Sequence, residues 1–187
     1  VYQSQIIARA DSGIKDLKDL DGKKFAYVDP ASTSGYLMPA KLFLENSVKP
    51  SETVFANKHD NVVMMIYQKQ VDAGATFYSP PNAKGEIEDA RRLVKSQYPD
   101  VEDKIKIIKL TEPIPNDPIV FRHDLPEEIK ETVISALMKY VETEEGKKVF
   151  GEIYGITGMV RATDSRYDDV RDMLKKLGKS AADLTKK

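Results

Sequence analysis

Short strand-like runs alternate with helix-period segments through the first 110 residues, and this alternation limits the fold more than any other feature of the sequence. Residues 2–9, YQSQIIAR, alternate polar with apolar and are rich in isoleucine, as a strand is. Ile14, Leu17 and Leu20 then stand at helical spacing, with Ser12 as cap and Gly22 as stop, and predict a helix over 14–20. A short strand over 25–28 ends at Asp29-Pro30. Leu37, Ala40, Leu42, Phe43 and Leu44 give a helical face that runs to Asn46. The same criteria predict strands over 53–56, 71–77, 105–110 and 119–121, and helices over 61–70 and 86–96. Elements in this order place a sheet between helices on both faces, which is an α/β architecture. After Leu125 the pattern becomes helical, with helices predicted over 129–141, 144–153, 165–177 and 180–184. Pro126, followed by Glu127 and Glu128, is a strong start signal for the first of them. These amphipathic helices have no sheet of their own and need a surface to cover.

The stretch DPASTSGYLMPAKLFLEN, from Asp29 to Asn46, sets three hydroxyl side chains and a glycine ahead of a helix. Two readings stay open on the local pattern. One is ordinary capping by Ser32 or Ser34, worth about 1 kcal/mol. The other is an anion site. The first turn of a helix carries unpaired N–H groups and a partial positive charge. Ser32, Thr33 and Ser34 add neutral donors, and Gly35 admits close approach to the backbone. The Gly-x4-Gly-Lys spacing of a nucleotide-binding loop is missing.

Other residues that could carry chemistry are sparse. His59 stands at a helix start, where it could donate to an oxyanion or be a plain surface residue. His123 lies among charges in FRHDLP. The two histidines have no metal-ligand spacing, and cysteine is absent, which removes thiol catalysis and cysteine-type zinc sites. Asp117 precedes a proline in PIPNDPIVF and suits a turn, and Tyr2 could meet a ligand or sit in a sheet edge. Asp72 reads as structural. No nucleophile elbow or Ser-His-Asp order is convincing. Net charge is -1 with no polybasic stripe, so nothing suggests nucleic-acid binding. No apolar run approaches the ~20 residues of a membrane span.

Taken together, the segments VYQSQIIARADSGIKDLKDLDGKKFAYVDPASTSGY, NKHDNVV, VDAGATF and PIPNDPIVFRHDLPEEIKE resemble the substrate-binding proteins of phosphate, phosphite and phosphonate ABC transporters, the PhnD-like group with the type II periplasmic-binding fold. They occur in family order and reach to about Val160. The resemblance implies an interlobe strand over 1–8, a ligand-binding lobe two over 9–109, and crossover segments and C-terminal helices of lobe one over 110–187, with the remainder of lobe one outside this sequence. It also implies a ligand set. The hydroxyl cradle for the phosphorus oxyanion maps onto Ser32, Thr33 and Ser34 with Gly35, the oxyanion-contacting histidine onto His59, and an interlobe aromatic onto Tyr2. The acid that faces a ligand ammonium maps onto Asp117. No cofactor, metal or catalytic residue is implied.

One departure bears on the ligand. Aminoalkyl-phosphonate binders carry a second acid after the VDA strand, where this sequence has Ser79, beside Tyr78. An ammonium would lose a charge-assisted partner worth ~1.5–3 kcal/mol. The resemblance with this departure implies phosphate, phosphite or a small alkylphosphonate, a membrane permease as partner, and a periplasmic or extracytoplasmic place, with a lipoprotein anchor in a longer form. Self-association through an uncovered lobe-one face is also expected. The alternatives are a ligand-sensing domain on the same fold and, with less support, a phosphate-handling enzyme.

Overall fold

A computed structural model of the protein describes residues 2–185. The chain forms two compact units, one of residues up to Asn116 together with those from Tyr167 onward, the other Asp117–Arg166.

The first unit is built on a five-stranded mixed sheet of order β3-β2-β4-β1-β5. The strands are β1 Gln3–Arg9, β2 Lys24–Tyr27, β3 Glu52–Phe55, β4 Ala73–Tyr78 and β5 Ile105–Leu110. β2 runs parallel to β3 and β4, whereas β1 is antiparallel to β4 and β5. Two helices supply the parallel crossovers, α1 Met38–Asn46 after β2 and α2 His59–Tyr67 after β3, and a single turn, α3 Val101–Lys104, leads into β5.

Strand periodicity divides the core between the two faces. Ile6, Ala8, Phe25, Tyr27, Ala73 and Ala75 pack with Phe43 of α1. Their neighbours Ile7, Ala26 and Val28 pack with Val62, Val63 and Ile66 of α2. The α1 side is aromatic, with Phe25 centred 4.9 Å from both Tyr27 and Phe43. On the α2 side the fully buried residues are all aliphatic. A Cβ added at Gly74 would stand 2.6 Å from Val62 Cγ1 and 2.8 Å from the Ala26 carbonyl oxygen. This glycine therefore sets how near α2 lies to β4.

Three predicted elements differ from the structure. The helix over 14–20 reduces to a single turn, Lys18–Leu20. Asp19 Oδ2 accepts from the N–H groups of Lys15 (2.8 Å) and Asp16 (3.1 Å), and Asp16 Oδ1 accepts from Lys18 N–H (2.8 Å). Side-chain acceptors thus take donors that a helix would need. The helix over 86–96 reduces to Ala90–Val94, where Asp89 caps the turn and forms a buried 2.7 Å pair with Arg91. Arg91 in turn donates to the Ile105 carbonyl (3.0 Å), which ties the segment to the sheet. The strand over 119–121 is not formed, and Ile119 and Val120 stand exposed. Pro115 and Pro118 remove donors that pairing would use.

In the second unit, α4 Glu127–Glu142 and α5 Glu144–Tyr154 meet at Thr143. Thr143 Oγ1 accepts from Gly146 N–H (3.0 Å) and donates to the Tyr140 carbonyl (2.7 Å). A short corner of this kind folds α5 back on α4, with Tyr140 and Phe150 edge to face at 6.2 Å. Pro126 lies at the cap of α4, one position before the first helical residue. Helices α6 Asp168–Lys176 and α7 Ala181–Thr185 belong with the first unit. There Lys176 pairs with Glu45 of α1 at 2.9 Å. Among the described residues no helix is long and apolar enough to cross a membrane.

The contact at Gly74 yields a prediction. Gly74→Ala should lower unfolding free energy by ~1–3 kcal/mol through overpacking against Val62 and the Ala26 carbonyl. Urea denaturation reads this directly, and an unchanged midpoint contradicts the packing described.

Candidate functional site

Parallel strands place their carboxyl ends on one edge of the sheet, and α/β sheets bind ligands outside that edge. Three such ends meet here, those of β2, β3 and β4. They lead respectively into Asp29–Ser34, into His59 at the start of α2, and into Ser79. Because β1 is antiparallel to β4, its amino end reaches the same edge and brings Tyr2 there. Tyr2 exchanges backbone hydrogen bonds with Ile114, donating at 3.2 Å and accepting at 2.7 Å. The fold therefore gathers Tyr2, Ser32, Thr33, Ser34, His59 and Ser79 on one edge. Asp117 is exposed and belongs to the second unit. His123 is exposed in that unit as well.

The hydroxyl turn has a wider winding than an α-helix. Leu37 N–H donates to the Ser32 carbonyl at 3.0 Å, and Met38 N–H to that of Thr33, both five residues back. Ser32 behaves as a cap, its Oγ accepting from Gly35 N–H at 3.0 Å. Capping thus accounts for Ser32 and leaves Thr33 and Ser34 unexplained. Asp29 steadies the approach, its Oδ1 accepting from Ala31 N–H (2.9 Å) and its carbonyl from Ser32 N–H (3.1 Å). Gly35 is required for the turn to lie on the sheet, since a Cβ there would stand 2.4 Å from Val28 Cγ2 and 2.8 Å from Ser32 Oγ. Its missing side chain admits Val28, not open space.

Two further bonds fix the turn to the strands beneath. Val28 N–H donates to the Gly35 carbonyl at 3.1 Å, and the hydroxyl of fully buried Ser4 donates to the Ser34 carbonyl. Among the described residues, neither the N–H groups nor the hydroxyls of Thr33 and Ser34 have a hydrogen-bond partner. A turn held in this way offers several neutral donors at a helix start, where the backbone dipole favours an anion.

His59 stands in the first turn of α2 and packs edge to face on Phe77 at 5.0 Å. Its Nδ1 accepts from Phe77 N–H at 3.3 Å. A ring that accepts at Nδ1 carries its proton on Nε2, so His59 presents an N–H donor. Burial pushes its pKa down, against the opposing pull of the Asp29 and Asp60 carboxylates. Asp29, at the head of the segment that carries the hydroxyl turn, lies within electrostatic reach of His59. Sequence reasoning missed Ser4 and the backbone N–H of Phe77. The available signal for Ser4 was the polar run Gln3-Ser4-Gln5 at the head of a strand that continues Ile6-Ile7-Ala8. Nothing local could have shown which ring nitrogen of His59 is occupied.

The family described as "ABC transporter, phosphonate, periplasmic substrate-binding protein" matches residues 1–167. The phosphonates-binding periplasmic protein of Escherichia coli is 34% identical over 156 residues, which are 79% of this chain and 43% of that protein. A phosphate-import protein of Mycolicibacterium smegmatis is 40% identical over 87 residues, 41% of this chain and 27% of that one. Among solved structures, a binding-protein component of a phosphonate ABC transporter from Pseudomonas aeruginosa aligns with TM-score 0.70 and 26% identity, over 92% of this chain and 56% of the other. The chain thus spans about half the length, or less, of these relatives. They are substrate-binding transport proteins, not enzymes.

The environment of His59 has a pH consequence. The unfolded ring titrates at its ordinary value of 6.5, and the folded ring below it. The unfolded state therefore takes the proton first as pH falls. This contribution to stability is complete above pH 6.5 and is lost as pH drops toward the folded value. NMR titration should give a His59 midpoint below 6.5, and one at or above it would refute the neutral-donor assignment.

Proposed function

We propose that the chain, which belongs to the family of periplasmic substrate-binding proteins of phosphonate ABC transporters, binds a small phosphorus oxyanion at the carboxyl edge of its sheet. Thr33 and Ser34 are the principal donors, through their N–H groups and hydroxyls, and His59 donates from Nε2. Tyr2 and Ser79 border the same edge. Asp117, in the second unit, is the remaining ligand residue of this reading. The observation that carries the reading is the set of unpartnered donors on Thr33 and Ser34, beside a ring whose Nδ1 is already taken.

The donor set decides the ligand class. The donors on Thr33, Ser34 and His59 are all neutral, so a phosphorus oxyanion is held by dipoles and can be released without breaking a permanent ion pair. Ser79 supplies no charge for an ammonium. Phosphate, phosphite and methylphosphonate therefore fit better than 2-aminoethylphosphonate. In this reading residues 9–109 are the lobe that holds the oxyanion, and 110–187 belong to the other lobe and the crossover, with α6 returning to α1. Delivery is to a membrane permease, outside the cytoplasm, from a soluble or lipid-anchored form. The second unit exposes Ile129, Val133 and Ile153, which supports self-association through that surface.

Calorimetric titration with phosphate, phosphite, methylphosphonate and 2-aminoethylphosphonate tests the proposal. Binding should be micromolar or tighter for one of the first three. Ser34→Ala should weaken it by ~10- to 100-fold, the loss of one donor to a charged group. Comparable affinity for methylphosphonate and 2-aminoethylphosphonate would refute the role given to Ser79. Failure of all four to bind would refute the function.

A further inference from the structure

Proline at position 39 takes away hydrogen bonds at the start of α1. It has no N–H, and its ring clashes with the carbonyl four residues back. In an α-helical winding the abandoned carbonyl is that of Gly35. In the wider winding present here, where the N–H groups of Leu37 and Met38 reach five residues back, it is that of Ser34. Met38 N–H cannot serve Ser34, because it donates to Thr33. Ser34 and Gly35 are both buried, so neither carbonyl can turn to water instead.

The sheet answers both needs. Val28 N–H donates to the Gly35 carbonyl at 3.1 Å, and Ser4 Oγ donates to the Ser34 carbonyl. Ser4 is itself immobilised. Its N–H donates to Thr111 Oγ1 at 3.1 Å, and its carbonyl accepts from Thr111 N–H at 3.0 Å. The peptide group joining Ser34 to Gly35 is thereby gripped at both ends, its oxygen by Ser4 and its N–H by Ser32 Oγ. The Ser34 N–H belongs to the preceding peptide, so this grip acts on it and on the hydroxyl by fixing the backbone at the Ser34 Cα.

We infer that Ser4 is a positioning residue of the oxyanion site: its buried hydroxyl replaces the backbone donor that Pro39 lacks and sets the orientation of Ser34. This rests on the reading of Thr33 and Ser34 as oxyanion donors. It also links the site to Tyr2, because β1 bears the tether and Tyr2 immediately precedes that strand. A displacement of β1 along Thr111 is passed to Ser34 through a single hydrogen bond.

A double-substitution cycle tests the inference. Ser4→Ala, Pro39→Ala and the pair would be titrated with methylphosphonate and phosphate, and amide exchange followed at Leu37 and Met38. Ser4→Ala should weaken binding by about tenfold or more when Pro39 is present. In the Pro39→Ala background the same change should cost less than about threefold, because an alanine N–H gives the Ser34 carbonyl a local donor. A merely structural serine would lower the melting temperature alike in both backgrounds and show no such difference in affinity. Equal affinity losses in the two backgrounds, or none with Pro39 present, would overturn the inference. If the parent protein binds neither oxyanion, the functional reading falls, and amide exchange decides the positioning alone. Faster exchange at Leu37 and Met38 in Ser4→Ala, restored in the pair, supports it, and unchanged exchange overturns it.

Discussion

The hydroxyl turn, His59 and Ser79 share one edge because β2 runs parallel to both of its neighbours. Parallel pairing requires a crossover, and each crossover helix begins at the carboxyl edge. Helices α1 and α2 therefore present their amino ends on the same side of the sheet, beside the end of β4. An antiparallel hairpin between β2 and β3 would have moved His59 to the far edge, and one between β3 and β4 would have moved Ser79 there. The crossovers need close packing to stay in place, which Gly74 permits under α2 and Gly35 permits under the turn.

The site's chemistry follows from which groups have already been used. Ser32 spends its hydroxyl on Gly35 N–H, and His59 spends Nδ1 on Phe77 N–H. What remains on that edge is a set of donors without formal charge. Such a set favours an anion through dipoles, and the low polarity around half-buried groups strengthens each bond. The lowered pKa of His59 belongs to the same arrangement. A neutral ring donates one hydrogen bond without adding a fixed positive charge.

The hydroxyl turn is also a case of one residue creating a need that another meets. Pro39 suits the first turn of a helix, where its missing N–H usually costs nothing. Here the turn before it is buried against the sheet, so the lost donor must be replaced. The replacements come from Val28, just beyond β2, and from Ser4 on β1. The local irregularity at Pro39 thus becomes a mechanical link between the turn and two different parts of the sheet.

Sequence alone determined the elements whose pattern is their own cause. Strand alternation around Ile6 and Ile7 separates the two core faces, Ser32 caps its turn, and Pro126 with two glutamates marks the start of α4. The α/β class and the concentration of hydroxyls at a helix start were legible for the same reason. Residues 14–20 and 86–96 misled because helical spacing says nothing about a carboxylate that competes for the backbone, as Asp19 does, or about a cap that starts the turn later, as Asp89 does. Tertiary structure decided the rest. The proton position on His59 depends on an amide 18 residues away, and the orientation of Ser34 on a hydroxyl 30 residues away. Partners so distant in the chain are selected by strand order and by packing at glycine, and neither can be read from neighbouring residues.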